Sequence, residues 1–355
     1  MSITFKDSND CFLLGRIDGG KYHNKSIYIN TGNTDDFIKM DNPFVLLDDV
    51  WFRNKKSDLK TTDLIRLQKA IARGKSPDDV ELEDIYNEAM NYLNDKSKKE
   101  LILVDGKIKP TLGKDPTITA YVAGPSGSGK STVGKNLIVE IKRRRHKPKI
   151  YLFSQLNEDE VLDKIVDHRI LIGENLIDSP ITLNELKDSI LIFDDIETIP
   201  NEKLKKIVSN LRDQALSEGR HHNICTICTN HMVTDYKKTK NMIAEAKLIY
   251  LFPSQGQLNS IVHLLKDIVG LNKDEINKIV NLPSRWICIH NRNPLCCIYE
   301  HGIFLLGQLS KTQNKLPTYI TKKSNKMRDK ERKYHNKEDI LYTSDSDSES
   351  DSDSD

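Results

Sequence analysis

The chain has 355 residues, of which 37% are hydrophobic and 30% charged, with a formal net charge of +2 and a mean hydropathy of −0.54. No apolar run approaches the roughly 18 residues of a membrane-spanning helix, and the opening M-S-I-T-F-K-D lacks a signal-peptide apolar segment, so neither a membrane nor a secreted class is expected. The near-neutral total is a cancellation, because residues 343–355 carry six acids and no base while residues 321–337 hold eight Lys and Arg against two acids.

Residues 1–60 contain short apolar runs at 11–14, 26–29 and 44–47, separated by Gly19-Gly20 and Gly32-Asn33 turns, and these predict strands. Leu64, Leu67 and Ile71 recur at helical spacing over 63–73, as do Val80, Leu82, Ile85, Ala89 and Leu93 after the Ser76-Pro77-Asp78-Asp79 start signal. Residues 1–109 therefore form a small mixed α/β module. From residue 117 the pattern changes to alternating strands (117–123, 149–153, 189–193, 224–229, 247–252) and helices (130–142, 158–166, 202–217). Helices over 254–279 break near Gly270, and 286–290, 296–300 and 303–306 suggest a terminal β-meander. Alternation of this kind predicts an α/β core over 110–306, a mainly parallel sheet flanked by helices. Beyond it, residues 307–355 have the composition of a disordered tail, basic and then acidic. With no signal segment the chain is expected in a reducing compartment, its six cysteines as thiols.

Gly124, Pro125, Ser126, Gly127, Ser128, Gly129, Lys130 and Ser131 fit G-x-x-x-x-G-K-[ST] between a strand and a helix, the pattern of a P-loop NTPase. Glycines let backbone amides converge on phosphate at the positive end of the helix. Lys130 would reach the β- and γ-phosphates, the Ser131 hydroxyl would ligate Mg²⁺, and Thr132 would assist at the α-phosphate. A Mg²⁺ shell also needs a carboxylate at the end of a neighbouring buried strand. Ser189-Ile190-Leu191-Ile192-Phe193-Asp194-Asp195 supplies it, with Asp194 as the metal-shell ligand and Asp195 placed to polarise the attacking water; Glu197 is a second candidate for that role. A third strand, ending at Asn230, offers a polar amide as γ-phosphate sensor. Arg220 enters that strand from its other end, where it suits either a finger reaching a neighbouring subunit's nucleotide or a surface salt bridge. His221, His222, Cys225, Cys228 and His231 cluster in the same stretch, but residues three apart on a strand face opposite ways, so the two thiols are not expected to share an ion.

Taken together, G-P-S-G-S-G-K-S, I-L-I-F-D-D and G-R-H-H-N-I-C-T-I-C-T-N-H resemble the FtsK/HerA superfamily of DNA-translocating ATPases, and within it the poxvirus-type DNA-packaging ATPases of nucleocytoplasmic large DNA viruses. The resemblance spans about residues 115–255. It implies Mg²⁺-dependent ATP hydrolysis that drives translocation or packaging of double-stranded DNA by a homo-oligomeric ring, in the host cytoplasm or the virion. By motif it places Lys130 and Ser131 on phosphate and Mg²⁺, Asp194 and Asp195 on Mg²⁺ and water, and Arg220 as the finger. Asn230 stands where the family usually has Gln, and Asp-Asp stands in place of Asp-Glu. A superfamily 3 viral helicase also combines such a loop, an acid pair and a strand ending in Asn, and stays an alternative. A nucleotide kinase would need an Arg-rich lid, and a GTPase an N-K-x-D string, to which Asn272-Lys273-Asp274-Glu275 is a poor match. A nucleotide-gated scaffold without turnover is the non-enzymatic alternative.

Two basic segments, 142–147 and Lys237-Lys238 with Lys240, are candidates for phosphate-backbone contacts on DNA. Serines 344, 346, 348, 350 and 352 have acids three residues on, a pattern open to an acidophilic kinase, each phosphate adding about −1.5 to −2 charges.

Overall fold

The structure is a computed structural model, and it describes residues 1–32, 61–73, 80–111, 117–235 and 238–307. The expected strand at 44–47, Lys237, the basic segment 321–337 and the acidic tail with its kinase-acceptor serines lie outside the described residues.

In the N-terminal part, β1 (Ser2–Thr4), β2 (Cys11–Asp18) and β3 (Ser26–Asn30) are followed by α1 (Thr61–Arg73), α2 (Val80–Lys99), β4 (Glu100–Ile102) and β5 (Lys107–Pro110). An antiparallel sheet runs β1-β3-β2-β5. Helices α1 and α2 bury Leu67, Ala89 and Leu93, which the helical spacing had marked, together with Tyr86, which it had not. Strands β4 and β5 were not legible in the sequence, since each is only three or four residues long. The expected boundary at 109/110 falls inside β5, and β4 before it pairs with the last strand of the large sheet.

The core contains β6 (Thr119–Ala123), α3 (Lys130–Lys142), β7 (Lys149–Ser154), β8 (His168–Leu171), α4 (Asn175–Asp178), β9 (Ser189–Asp194), α5 (Glu202–Glu218), β10 (Cys225–Asn230), α6 (Lys240–Glu245), β11 (Leu248–Leu251), α7 (Leu258–His263), α8 (Lys273–Val280), β12 (Ile287–His290), β13 (Cys296–Tyr299) and β14 (Gly302–Leu305). One ten-stranded sheet runs β4-β14-β13-β12-β11-β6-β10-β9-β7-β8. It is parallel from β11 through to β8 and antiparallel from β11 outward to β4.

Parallel strands buried on both faces read as continuous apolar runs. In β9, Ile190 and Ile192 join the cluster under α3 and the N-terminal sheet, whereas Leu191 and Phe193 join the cluster under α5, α7 and α8. Phe193 stacks on Phe153 at 4.8 Å between ring centroids, and Phe193→Ala would cost about 3–5 kcal/mol through the cavity it leaves.

One expected helix is absent. Residues 160–165 form turns, because nearby carboxylates take the backbone donors: Asp159 Oδ1 accepts from Val161 and Leu162 N–H, and Asp163 Oδ2 from Asp159 N–H. The chain then adds β8, an edge strand with little apolar burial and so little sequence signal. Among the described residues no helix is long and apolar enough to cross a membrane.

Candidate active site

The site forms where β6, β10 and β9 end side by side. Ala123 is paired with Asn230, and Thr229 with Asp194. Strand β10 separates the strand that leads into the phosphate loop from the strand that carries the acids. That interposition puts the end of β10 between the loop and the carboxylate.

The loop leaves β6 with Gly124 N–H donating to the Asn230 carbonyl at 3.0 Å. A Cβ on Gly124 would lie 2.6 Å from the Phe252 ring and 2.9 Å from Ser128 Oγ, so no larger residue fits. Gly127 (φ 73°) and Gly129 (φ 112°) take the left-handed backbone that turns the chain into α3. Gly129 caps α3 without a side-chain hydrogen bond, so the N-cap residue leaves the first-turn amides to a ligand. Ser128 Oγ is buried without a partner among the described residues. Pro125, Ser126, Ser131 and Thr132 line the rest of the turn, and Ser126 and Thr132 are exposed.

Lys130 is only 8% exposed. Its ammonium donates to the carbonyls of Gly124 (3.1 Å) and Pro125 (3.4 Å) and to His231 Nδ1 (3.2 Å), and stands 3.9 Å from Asp195 Oδ2. Because an ammonium has no acceptor, His231 Nδ1 must accept; the ring proton is therefore on Nε2, which donates to Asp195 Oδ2 at 2.9 Å. Lys130, His231 and Asp195 thus form a polar chain across the mouth of the site. Gln257 fixes the carrier of the imidazole, donating to the His231 carbonyl at 2.7 Å, and Tyr121 OH donates to the Met232 carbonyl at 2.7 Å.

Asp194 points to the α3 face, as its alternation with Ile192 dictates, and accepts from Thr229 Oγ1 (2.6 Å) and Ser154 Oγ (3.3 Å). Asp195 takes a left-handed backbone (φ 46°), which turns its side chain out of the strand's alternation toward Lys130. Its Oδ1 is buried without a partner among the described residues. Burial pushes the Asp195 carboxyl above the ordinary aspartate value; Lys130 pulls it back, Asp194 adds to the rise, and His231 opposes it. Ser131 Oγ donates to Asp159 Oδ2 at 3.0 Å.

The remaining sequence candidates lie differently. Glu197 is ion-paired with buried Arg212 of α5, which also holds Asp213 at 2.8 Å. The Asn230 side chain is 4% exposed and accepts from Met232 N–H at 3.2 Å, so its backbone carbonyl rather than its amide meets the loop. Arg220 is exposed at the opposite end of β10, with Nε donating to His221 Nε2 at 3.3 Å. Cys225 and Cys228 fall in the clusters on opposite faces of the sheet, so their thiols do not converge.

Sequence reasoning missed Thr229, Ser154, Asp159 and Arg285, and weighed His231 only as part of a metal-binding cluster. Thr229 could have been found by strand alternation, since it faces the same side as Asp194. Arg285, more than 150 residues from the loop, donates to the carbonyls of Ser128 (Nε, 3.0 Å) and Gly127 (Nη2, 2.7 Å). No local motif announces it.

No family model matches the chain. It is 35% identical over 215 residues to the uncharacterized protein V3 of Sputnik virophage, an alignment that takes in 60% of this chain and 87% of V3. The chain belongs to the V3 family. Its loop, acid-bearing strand and strand order are those of the P-loop NTPase fold. Among solved structures it is similar to the genome packaging NTPase B204 of Sulfolobus turreted icosahedral virus 2 in complex with AMPPCP, at 17% identity and a TM-score of 0.36, over 52% of this chain and 98% of that one. It is also similar to the pCW3 conjugation coupling protein TcpA with ATPγS, at 10% identity and a TM-score of 0.35, over 87% of this chain and 81% of that one.

Proposed function

We propose that this V3-family protein hydrolyses ATP with Mg²⁺ and uses the energy to translocate or package double-stranded DNA. The observation that carries the reading is the meeting of Lys130 with Asp195, 3.9 Å apart, at the joined ends of the loop and acid strands. Phosphate oxygens compete with the carbonyls of Gly124 and Pro125 and with His231 for the Lys130 ammonium, and the open amides at the start of α3 supply the rest of the anion cradle. The Ser128 hydroxyl, buried without a partner among the described residues, fits a ligand that fills the loop.

The donor set near Ser131 and Asp194 is hard oxygen throughout, with Asp159 and Ser154 behind it, which suits Mg²⁺. Bound there, the ion would neutralise charge on the β- and γ-phosphates. Asp195 orients the attacking water, its burial keeping a strong acceptor in a partly dry site. Glu197 holds Arg212, a structural duty. Asn230 positions the loop through its carbonyl, and the γ-phosphate is sensed by the Thr229 and His231 side chains flanking it.

The DNA part of the reading rests on the motif resemblance and on exposed cations. Lys238 and Lys240 follow the site strand and are exposed, with Lys238 3.5 Å from Asp235. In the other basic segment Arg145 is taken up by carbonyls, while Lys142, Arg143, Arg144, His146 and Lys147 are exposed, Arg144 donating to Thr111 Oγ1. That segment lies at the far end of α3, about 20 Å from the loop. In a ring of identical subunits, Arg220 reaches the next subunit's nucleotide, and the acidic tail competes with DNA for the basic segments. ATPase rates with no DNA, duplex and single strand discriminate the two motors: stimulation by duplex is expected, and stimulation by single strands alone would assign the chain to the helicases.

A further inference from the structure

We propose that Arg285 is a positioning residue of the phosphate loop, which orients the backbone amides that receive the nucleotide; this rests on the ATP reading above. In a trans peptide the carbonyl and the next N–H point in opposite directions. Arg285 Nη2 and Nε hold the carbonyls of Gly127 and Ser128, and so turn the N–H groups of Ser128 and Gly129 away from the guanidinium, to the side where the phosphates bind. Ser128 N–H also closes the turn onto the Pro125 carbonyl at 3.2 Å, which leaves the Gly129 amide as the donor this contact chiefly aims.

The need for such a clasp follows from the loop's own composition. Gly127 and Gly129 both sit at positive φ with no Cβ contact closer than 3.7 Å, and glycine has the most backbone freedom to lose on ordering. A planar guanidinium with two donors can fix two successive peptide planes at once, which an ammonium cannot. Arg285 is itself held by its neighbours. Ser284 Oγ donates to the Trp286 carbonyl (2.6 Å) and accepts from Glu300 N–H (3.3 Å), and the Trp286 ring lies 5.8 Å from that of Tyr250 in the core. The start of the terminal meander, anchored through Ser284 and Trp286, therefore brings a cation to the loop.

A residue that aims amides used by ground state and transition state alike affects binding rather than turnover. The test uses the full chain with Arg285→Ala, Arg285→Lys and Lys130→Ala, measuring ADP and ATPγS affinity together with steady-state ATPase. Arg285→Ala is expected to weaken both nucleotides and raise KM for ATP about tenfold with kcat changed less than about twofold. Arg285→Lys should fall between, and millimolar guanidinium should restore affinity to Arg285→Ala and not to Lys130→Ala. Circular dichroism melts of the two variants match the wild type if the effect is confined to the loop. Unchanged affinity in Arg285→Ala overturns the proposal, as does a fall in kcat at constant affinity, which would put Arg285 on the transferring phosphoryl group. A wild-type chain that binds no nucleotide overturns the ATP reading and this inference together, whereas wild-type binding with an indifferent Arg285→Ala removes the inference alone.

Discussion

The two ends of the large sheet use their cations in opposite ways. Where the parallel strands finish, Lys130 divides its ammonium among two carbonyls and an imidazole, and Ser128 Oγ and Asp195 Oδ1 have no partner among the described residues. Where those strands begin, Arg145 donates to the carbonyls of Ser189 and Asn223 and to Cys225 Sγ, while Asn223 Nδ2 donates to Asp188 Oδ1 at 2.7 Å. The first set of contacts can be exchanged for a phosphate; the second closes the ends of β9 and β10 and leaves nothing to exchange. A cluster of positive charge is therefore not evidence of a ligand site until its partners are known, and Arg145 within the basic segment is a structural residue.

Substitutions can break this contrast from either end. The largest effect is expected for Asp194→Asn, which would remove the strand-end carboxylate from the proposed Mg²⁺ shell and should lower the ATPase rate by about 10³. Activity restored by raising Mg²⁺ would confirm the role, and an undiminished rate would reject it. Asp195→Asn should cost about 10² in rate, yet raise the melting temperature at neutral pH. The sign follows from the raised carboxyl: burial makes the ionised form less stable folded than unfolded, so the penalty is absent below the ordinary aspartate range and grows as pH rises through the folded value. The thermal gain should accordingly vanish in acid, and a gain that persists there would point to some other cause.

Glu197→Gln sharpens the assignment of the water-orienting acid. Arg212 would lose its Glu197 partner but keep Asp213, so a destabilisation of about 2 kcal/mol is expected with the rate within about threefold of wild type. A collapse of the rate in a stably folded Glu197→Gln would instead make Glu197 the catalytic carboxylate. At the opposite end, Arg145→Ala should cost about 1–2 kcal/mol in urea titration, from orphaned carbonyls, while leaving KM for ATP unaltered.

What was legible in the sequence was what is local in the chain. The loop, Lys130, Ser131 and the acid pair lie in contiguous strings whose chemistry fixes their spacing, and α3 and β9 fall within a residue of where the patterns place them. Asn230 was found as a strand end, but alternation turns its side chain away from Asp194 and brings in Thr229 and, one residue on, His231. Arg285 reaches the loop only because the chain folds back through α8 into the meander, a tertiary fact without a sequence period. The expected helix at 158–166 failed for a local reason of another kind, the competition of Asp159 and Asp163 for backbone donors.

The central claim is that the Lys130 and Asp195 end of the sheet turns over ATP in the service of DNA movement. It is tested most directly by phosphate release from the wild-type chain and from Lys130→Ala, each with and without duplex DNA. The account predicts Mg²⁺-dependent release by the wild type that rises with duplex and falls to background in the variant. A wild-type rate indistinguishable from Lys130→Ala in every condition would contradict it.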